Sequence, residues 1–321
     1  SMARDEELQE EMLGLDVDDQ ARFFGETVSP ENEQETVALT RRWLEQRYAA
    51  AHDEVDRLAW LRLDRIAMRM LGKPSVSASE WLYLRLLVTG RGDTDARYVM
   101  IDEVQDYTAA QLMVLARHFS RAHFLMLGDE HQAIREGTAS FAQIRELFGR
   151  THGHVDECRL LTSYRSSPEI TALFSGLVEH DEPVKLASVH RSGVAPRIEA
   201  LADRDAFLDA LRTEVAAAHD AEGLTAVVAA DDGAVSWLAK QLGDAVDVIK
   251  NDRELPAAGV VLMSLRLAKG LEFDHVIIPD ASTETYPDTP LSRRRLYTAV
   301  SRAMHEVTLL AQGELTPLVS A

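Results

Sequence analysis

In Val99-Met100-Ile101-Asp102-Glu103-Val104-Gln105-Asp106 an apolar run stops abruptly at two carboxylates, Asp102 and Glu103. A buried strand that ends this way places both acids at the carboxyl edge of a parallel sheet, where such sheets take their ligands. In a nucleoside triphosphatase the first acid holds Mg2+, usually through water, and the second orients and deprotonates the attacking water. The same string also describes an ordinary strand end, so by itself it decides nothing.

Four further blocks follow. Leu127-Gly128-Asp129-Glu130-His131-Gln132 is a second strand end, with a glutamine on the next loop. A neutral amide donates and accepts, which suits contact with a terminal phosphate or its water. Ser163-Tyr164-Arg165-Ser166 precedes a helix that starts at Ser167-Pro168, and an arginine beside a helix N-terminus favours an anion. Ala268-Lys269-Gly270-Leu271-Glu272-Phe273 falls in a turn between two apolar strands. Leu296-Tyr297-Thr298-Ala299-Val300-Ser301-Arg302-Ala303 places an arginine on a helix.

In this order and spacing the five blocks resemble the motifs of UvrD/Rep-like superfamily 1 helicases, over roughly residues 98–312. The resemblance implies two RecA-like P-loop NTPase domains with ATP and Mg2+ between them. Carried over residue by residue, it makes Asp102 the Mg2+ ligand, Glu103 the general base and Gln132 a contact of the γ-phosphate. It puts Tyr164 on the adenine, Arg165 on the γ-phosphate from the second domain, and Gly270 and Glu272 near the nucleotide sugar. Arg302 becomes a second arginine finger, a device whose loss costs on the order of 10³ to 10⁵ in rate.

Departures from the pattern carry as much information. No Gly-x-x-x-x-Gly-Lys-Ser/Thr phosphate loop is present. The nearest string ends at Gly72-Lys73-Pro74 with Ala67 in the first glycine's place. Proline there removes a backbone donor and the Mg2+-binding hydroxyl, so the string is rejected and the Walker A region is expected ahead of Ser1. These residues alone are therefore expected to be inactive in ATP hydrolysis. Where processive relatives carry base-stacking aromatics after the glutamine loop, this chain has Arg135 and Gly137. Arg266 stands where histidine is usual, and the span from Arg165 to Lys269 leaves no room for the large second-domain insertion of DNA-unwinding members.

A narrower resemblance is to HelD, the helicase-like RNA polymerase-binding ATPase of Gram-positive bacteria. It rests on Val184-Lys185-Leu186, on Arg191 through Arg197, on Tyr107, and on Met304-His305-Glu306. That resemblance implies a motor that docks on RNA polymerase and helps release it from nucleic acid. The alternative is a UvrD-type DNA helicase or translocase of repair or replication. A non-catalytic binding module is disfavoured, because Glu103, Arg165 and Arg302 are all retained.

The elements that must position these residues are an alternation of apolar strands and helices from Arg97 onward. Expected strands are 98–101, 123–127, 225–229, 260–263, 275–278 and 307–310; expected helices are 109–118, one after Pro168, 234–242 and one around 296–304. Such alternation predicts an α/β class with parallel sheets covered on both faces. Residues 1–95 read as a helical segment, and the resemblances imply that it ends an insertion in the first RecA-like domain, with 96–160 the rear of that domain and 161–321 the second. Within the first part, Ser29-Pro30 predicts a helix start, Trp60, Leu63, Ala67, Met70 and Leu71 a second helix closed by Gly72, and Ser77 with Glu80 a capping box.

Composition bounds the partners. The net charge is −19, with 46% hydrophobic and 27% charged residues. DNA or RNA is an expected partner, but not through a strongly basic surface. The acidic first 40 residues read as a solvated, partly disordered segment, the alternative being an acidic arm that contacts or mimics something basic. Cys158 is the single cysteine, which fits a reducing cytoplasm, and His152, His154 and Cys158 read as a polar loop rather than a metal site. No run of about 18 apolar residues predicts a membrane span.

Overall fold

A computed structural model describes residues 2–56, 61–160, 162–163, 165–178, 187–188, 193–251 and 254–319. The chain divides into two compact units, Ser1–Gly90 and Arg91–Ala321.

The first unit is helical: α1 (Glu6–Leu13), α2 (Val17–Phe24), α3 (Glu33–Arg47), α4 (Ala49–Asp56), α5 (Leu63–Leu71) and α6 (Ala78–Thr89). The acidic start is therefore ordered, which corrects the expectation of a partly disordered segment. Its acids serve as caps. Asp5 accepts from the Leu8 N–H and Asp16 from the Asp19 N–H, while Met12, Phe24 and Trp43 bury a small core. Asn32 caps α3, not Ser29, because its side chain accepts from the Glu35 N–H. The α6 capping box of Ser77 and Glu80 forms as its spacing predicts. Gly72 ends α5 in the left-handed conformation and Lys73 donates to Glu80 at 2.7 Å, so the rejected Gly72-Lys73-Pro74 string is a helix terminus. Trp60 lies outside the described residues.

The second unit opens with β1 (Tyr98–Ile101) and β2 (His123–Met126), paired in parallel. The helices α7 (Ala109–His118) and α8 (Phe141–His152) cover one face of this pair through Leu112, Ala116, Ile144, Leu147 and Phe148. A short parallel pair, β3 (Thr162–Ser163) with β4 (Ala187–Ser188), and α9 (Pro168–Ser175) follow.

Six strands then form one wholly parallel sheet. They are β5 (Arg197–Leu201), β6 (Leu224–Ala229), β7 (Asp247–Val248), β8 (Gly259–Ser264), β9 (Phe273–Ile278) and β10 (Ala303–Gln312), in the order β5-β10-β9-β6-β8-β7. Parallel neighbours require crossovers, and the remaining helices supply them: α10 (Arg204–Asp220), α11 (Asp232–Leu242), the single turn α12 (Leu265–Ala268) and α13 (Pro290–Val300). Along β6, Ala226 and Val228 join Ile170, Phe174, Leu296 and Tyr297 of α9 and α13; Val227 and Ala229 join Phe207, Leu211, Val235 and Leu238 of α10 and α11. The period of two thus feeds two cores on opposite faces, and the inner strands β6 and β8 carry no charged residue because both of their faces are dry. This is the α/β architecture the alternation predicts.

One placement differs. The helix expected to run to Met304 ends at Val300, with Ser301 as its C-cap, so Arg302 sits in the turn that enters β10. The β10 ladder with β9 already starts at Ala303, and its hydrogen bonding outcompetes a further helical turn.

Candidate functional site

Asp102 and Glu103 leave the carboxyl end of β1, and the loop 127–132 leaves the carboxyl end of β2. The two ends are locked together. The Val104 N–H donates to Leu127 O at 2.9 Å, and the Gln105 side chain, 1% exposed, donates to Glu103 Oε2 and accepts from the Asp129 N–H at 3.1 Å. Gly128 makes this possible, since a Cβ there would stand 2.3 Å from Gln105 Oε1. Asp102 turns one oxygen to the Glu103 N–H at 2.8 Å. Glu103 has φ +50° and is the one non-glycine residue in the left-handed region among the described residues. Such a backbone costs on the order of 1 kcal/mol or more and persists where surrounding contacts impose it. Here Glu103 O accepts from the Asp106 N–H at 2.9 Å, and the Val104 N–H is tied to Leu127 O.

The amino-terminal edge of β9 and β10 meets these loops. The Phe273 N–H donates to Arg302 O at 3.0 Å, which holds Arg302 at that edge. Its guanidinium, 2% exposed, donates to Thr298 O, Leu271 O, Ser301 Oγ and, at 2.8 Å, Gln132 Oε1. Burial, with Arg165 nearby, pushes its ionisation down to about 10 against the pull of Glu103 and Glu272. Arg165 pairs with Glu272. Gly270, with φ +83°, makes the turn between α12 and β9 that presents Lys269 on one side and Glu272 on the other.

Of the residues singled out from the sequence, Glu103, Gln132, Arg165, Glu272 and Arg302 are brought into one neighbourhood. Asp102 stands at its rim, joined through Glu103, and Gly270 shapes the turn. Tyr164 lies outside the described residues, as do Val184–Leu186 and Arg191–Ser192.

The structure adds five residues to which the sequence pattern gave no role: Lys269, Asp106, Asp129, Tyr297 and Gln105. Lys269, its side chain 7% exposed, donates to Asp106 Oδ1 at 2.6 Å and Gln132 O at 3.0 Å, and lies 3.5 Å from Glu103 Oε2. Asp129 accepts from Gln132 Nε2 at 3.0 Å and from the Tyr297 hydroxyl at 3.1 Å. Gln105 completes the set. Each lies inside or next to a block already recognised, but the partners are up to 168 residues away, which spacing does not reveal.

The donor set fits a nucleotide with its cation. Carboxylate oxygens stand at a strand end, two arginines and a lysine oppose them, and an amide lies between. No group of three or more His, Cys, Asp or Glu able to hold a metal occurs among the described residues. Mg2+ would take Asp102 together with phosphate and water oxygens, its usual preference. Cys158 is exposed, and His154 pairs with Asp156 at 2.8 Å. No helix among the described residues is long and apolar enough to cross a membrane.

Comparison with known proteins agrees in class. Residues 259–310, the stretch from β8 into β10, match the family model described as UvrD-like helicase C-terminal domain. No curated protein matches the chain. Among solved structures, the chain is similar to the C-terminal domain of a possible DNA helicase from Lactobacillus plantarum WCFS1, at 33% identity and a TM-score of 0.42, covering 49% of this chain and 92% of that one. It is also similar to the PRRSV helicase, at 16% identity and a TM-score of 0.41, covering 68% of this chain and 36% of that one.

Proposed function

The chain carries a UvrD-like helicase C-terminal domain, and on that premise we propose that it is the rear part of an ATP-dependent superfamily 1 helicase-like motor. The motor hydrolyses ATP with Mg2+, binds RNA polymerase, and remodels it or releases it from nucleic acid in the cytoplasm. The observation that carries the motor reading is Gln132, held between Asp129 and Arg302 beside Glu103.

In this reading Glu103 takes the proton of the attacking water, and Gln105 and Lys269 hold it in place for that task. Bound Mg2+ would neutralise phosphate charge beside Asp102. Gln132 spends its carbonyl oxygen on Arg302 and one N–H on Asp129, which leaves the second N–H for a phosphate oxygen or the water. Arg165 and Arg302 supply positive charge where negative charge develops. No Gly-x-x-x-x-Gly-Lys-Ser/Thr loop occurs within residues 1–321 to cradle the other phosphates, so these residues by themselves are expected to show little or no steady-state turnover.

Three features favour polymerase as the partner: the net charge of −19, Arg135 and Gly137 where stacking aromatics would serve a stepping motor, and the HelD-like runs. The match over residues 259–310 suits a UvrD-type DNA helicase equally, and that is the second reading.

A pull-down from cell extract tests the choice, with the full-length protein as bait and captured subunits identified by mass. Stoichiometric RNA polymerase is the expected result. Robust unwinding of a tailed duplex without polymerase would overturn it in favour of the DNA helicase. In the same full-length protein, Glu103→Gln should abolish turnover while ATP stays bound; unchanged hydrolysis would remove Glu103 from the role of base.

A further inference from the structure

We propose that Tyr297 is a positioning residue for the hydrolytic step, acting through Asp129 to fix which way the Gln132 side-chain amide faces. This rests on the nucleotide reading above. Gln132 lies between Asp129 Oδ2, which its Nε2 reaches at 3.0 Å, and Arg302 Nη2, which reaches its Oε1 at 2.8 Å. A carboxylate only accepts and a guanidinium only donates, so just one of the amide's two orientations satisfies both neighbours. Arg302 and Asp129 thus select the same orientation from opposite sides, and the Asp129 side holds only while that carboxylate stays in place.

Tyr297 secures that. Asp129 Oδ1 takes the His131 N–H at 2.9 Å, and Oδ2 takes the Tyr297 hydroxyl at 3.1 Å as well as Gln132. The ring is 5% exposed, packs edge-on against Phe174 with centroids 5.3 Å apart, and tilts over His131 at 5.6 Å. It sits on α13 in the core of the six-stranded sheet, whereas Asp129 belongs to the loop after β2. Burial, then the Asp129 charge, raises the phenol's ionisation well above its ordinary value, so it remains a donor. One hydroxyl thus carries the position of the large sheet's core to the amide beside Glu103. Were Tyr297 only a packing residue, its ring would matter and its hydroxyl would not.

Tyr297→Phe keeps the ring and removes the hydroxyl. The first readout needs no nucleotide. In the ¹⁵N spectrum of the 321-residue chain, the side-chain amide pair of Gln132 is assigned by its disappearance in Gln132→Ala. It should shift or broaden in Tyr297→Phe and stay in place in Tyr286→Phe, a tyrosine equally buried whose hydroxyl has no partner among the described residues. The second readout is hydrolysis by the full-length protein. Tyr297→Phe should lower kcat about tenfold with the KM for ATP nearly unchanged, the size expected for a lost hydrogen bond to a charged group. The double variant Tyr297→Phe/Gln132→Ala should be no slower than Gln132→Ala, because the hydroxyl acts only through that amide. An unmoved amide signal, or losses that multiply in the double variant, would overturn the proposal. If Tyr297→Phe does not fold, 3-fluorotyrosine placed at position 297 serves: a stronger hydroxyl donor on the same ring should shift the Gln132 signal, and an unmoved signal counts against the proposal. A wild-type protein that hydrolyses no ATP would remove the nucleotide reading instead, and the amide signal would still report the contact.

Discussion

Arg302 donates from Nη2 to Oε1 of Gln132 at 2.8 Å, joining residues 170 apart in the chain. A guanidinium this deeply buried is tolerated because four acceptors surround it. The same bond ties the loop after β2 to the turn before β10.

Arg302→Lys should therefore fail in two ways. A single ammonium cannot reproduce the fork, and the unfolding free energy of the chain should fall by about 2–4 kcal/mol. Full-length turnover should drop about 10³-fold. Urea denaturation with an unchanged midpoint would show that the buried hydrogen bonds carry no net stability. The sign with pH follows from the depressed ionisation. The unfolded chain holds this proton more firmly than the folded one, so the charge costs stability at neutral pH, and the cost fades only as pH rises above about 10.

Gly128→Ala should destabilise by about 2 kcal/mol, in the range of an overpacked core. The new methyl would stand 2.3 Å from Gln105 Oε1 and 2.9 Å from Val104 Cγ1. Since Gln105 also holds Glu103, the variant should lose turnover as well, measured beside its thermal midpoint. A variant as stable and as active as wild type would mean the two strand ends are not rigidly joined.

Lys269→Met keeps length and loses charge. Asp106, about a third exposed, would keep water as a partner, so the expected loss is about 1–2 kcal/mol, below the value for a fully buried pair. Hydrolysis should fall further than stability, because Glu103 loses its cation 3.5 Å away. Lys269→Arg rescuing neither property would argue for a purely steric role.

Acid should weaken the large sheet through His275. Its Nε2 stands 3.0 Å from Thr308 Oγ1, and that hydroxyl donates to Glu214 at 3.1 Å, so the imidazole supplies the N–H of that contact. Burial lowers its ionisation below the ordinary 6.5 despite Glu306 and Glu214. The unfolded chain then binds a proton that the folded chain refuses, and stability falls as pH drops through 6.5. Thermal midpoints followed from about pH 7.5 to about pH 5 should decline in wild type and decline less in His275→Gln. Identical slopes would exclude His275 as the source.

The helices and strands that carry a clean period were legible in the sequence. Tyr98–Ile101, Ala109–His118 and the Ser77 capping box stand where their patterns place them. Local competition accounts for the misses. Asn32 took the cap expected of Ser29, and the β9 ladder claimed Ala303 onward from the helix expected to include Arg302. The acidic start folded because its aspartates cap helices, a use that net charge conceals.

The sequence by itself determined which residue types stand at the strand ends, because periodicity and turn chemistry act over a few residues. From them came Asp102, Glu103, Gln132, Arg165 and Arg302 as candidates, and the parallel α/β class. Only the tertiary structure decided their relations: that Arg302 grips Gln132, that Lys269 reaches Glu103, and that Tyr297 holds Asp129. Those pairings arise where one edge of a six-stranded sheet meets the ends of a two-stranded one. Ile134, from the segment after β2, joins Ile170, Phe174, Leu296 and Tyr297 of α9 and α13 in the large sheet's core and so makes that meeting, which no local pattern encodes.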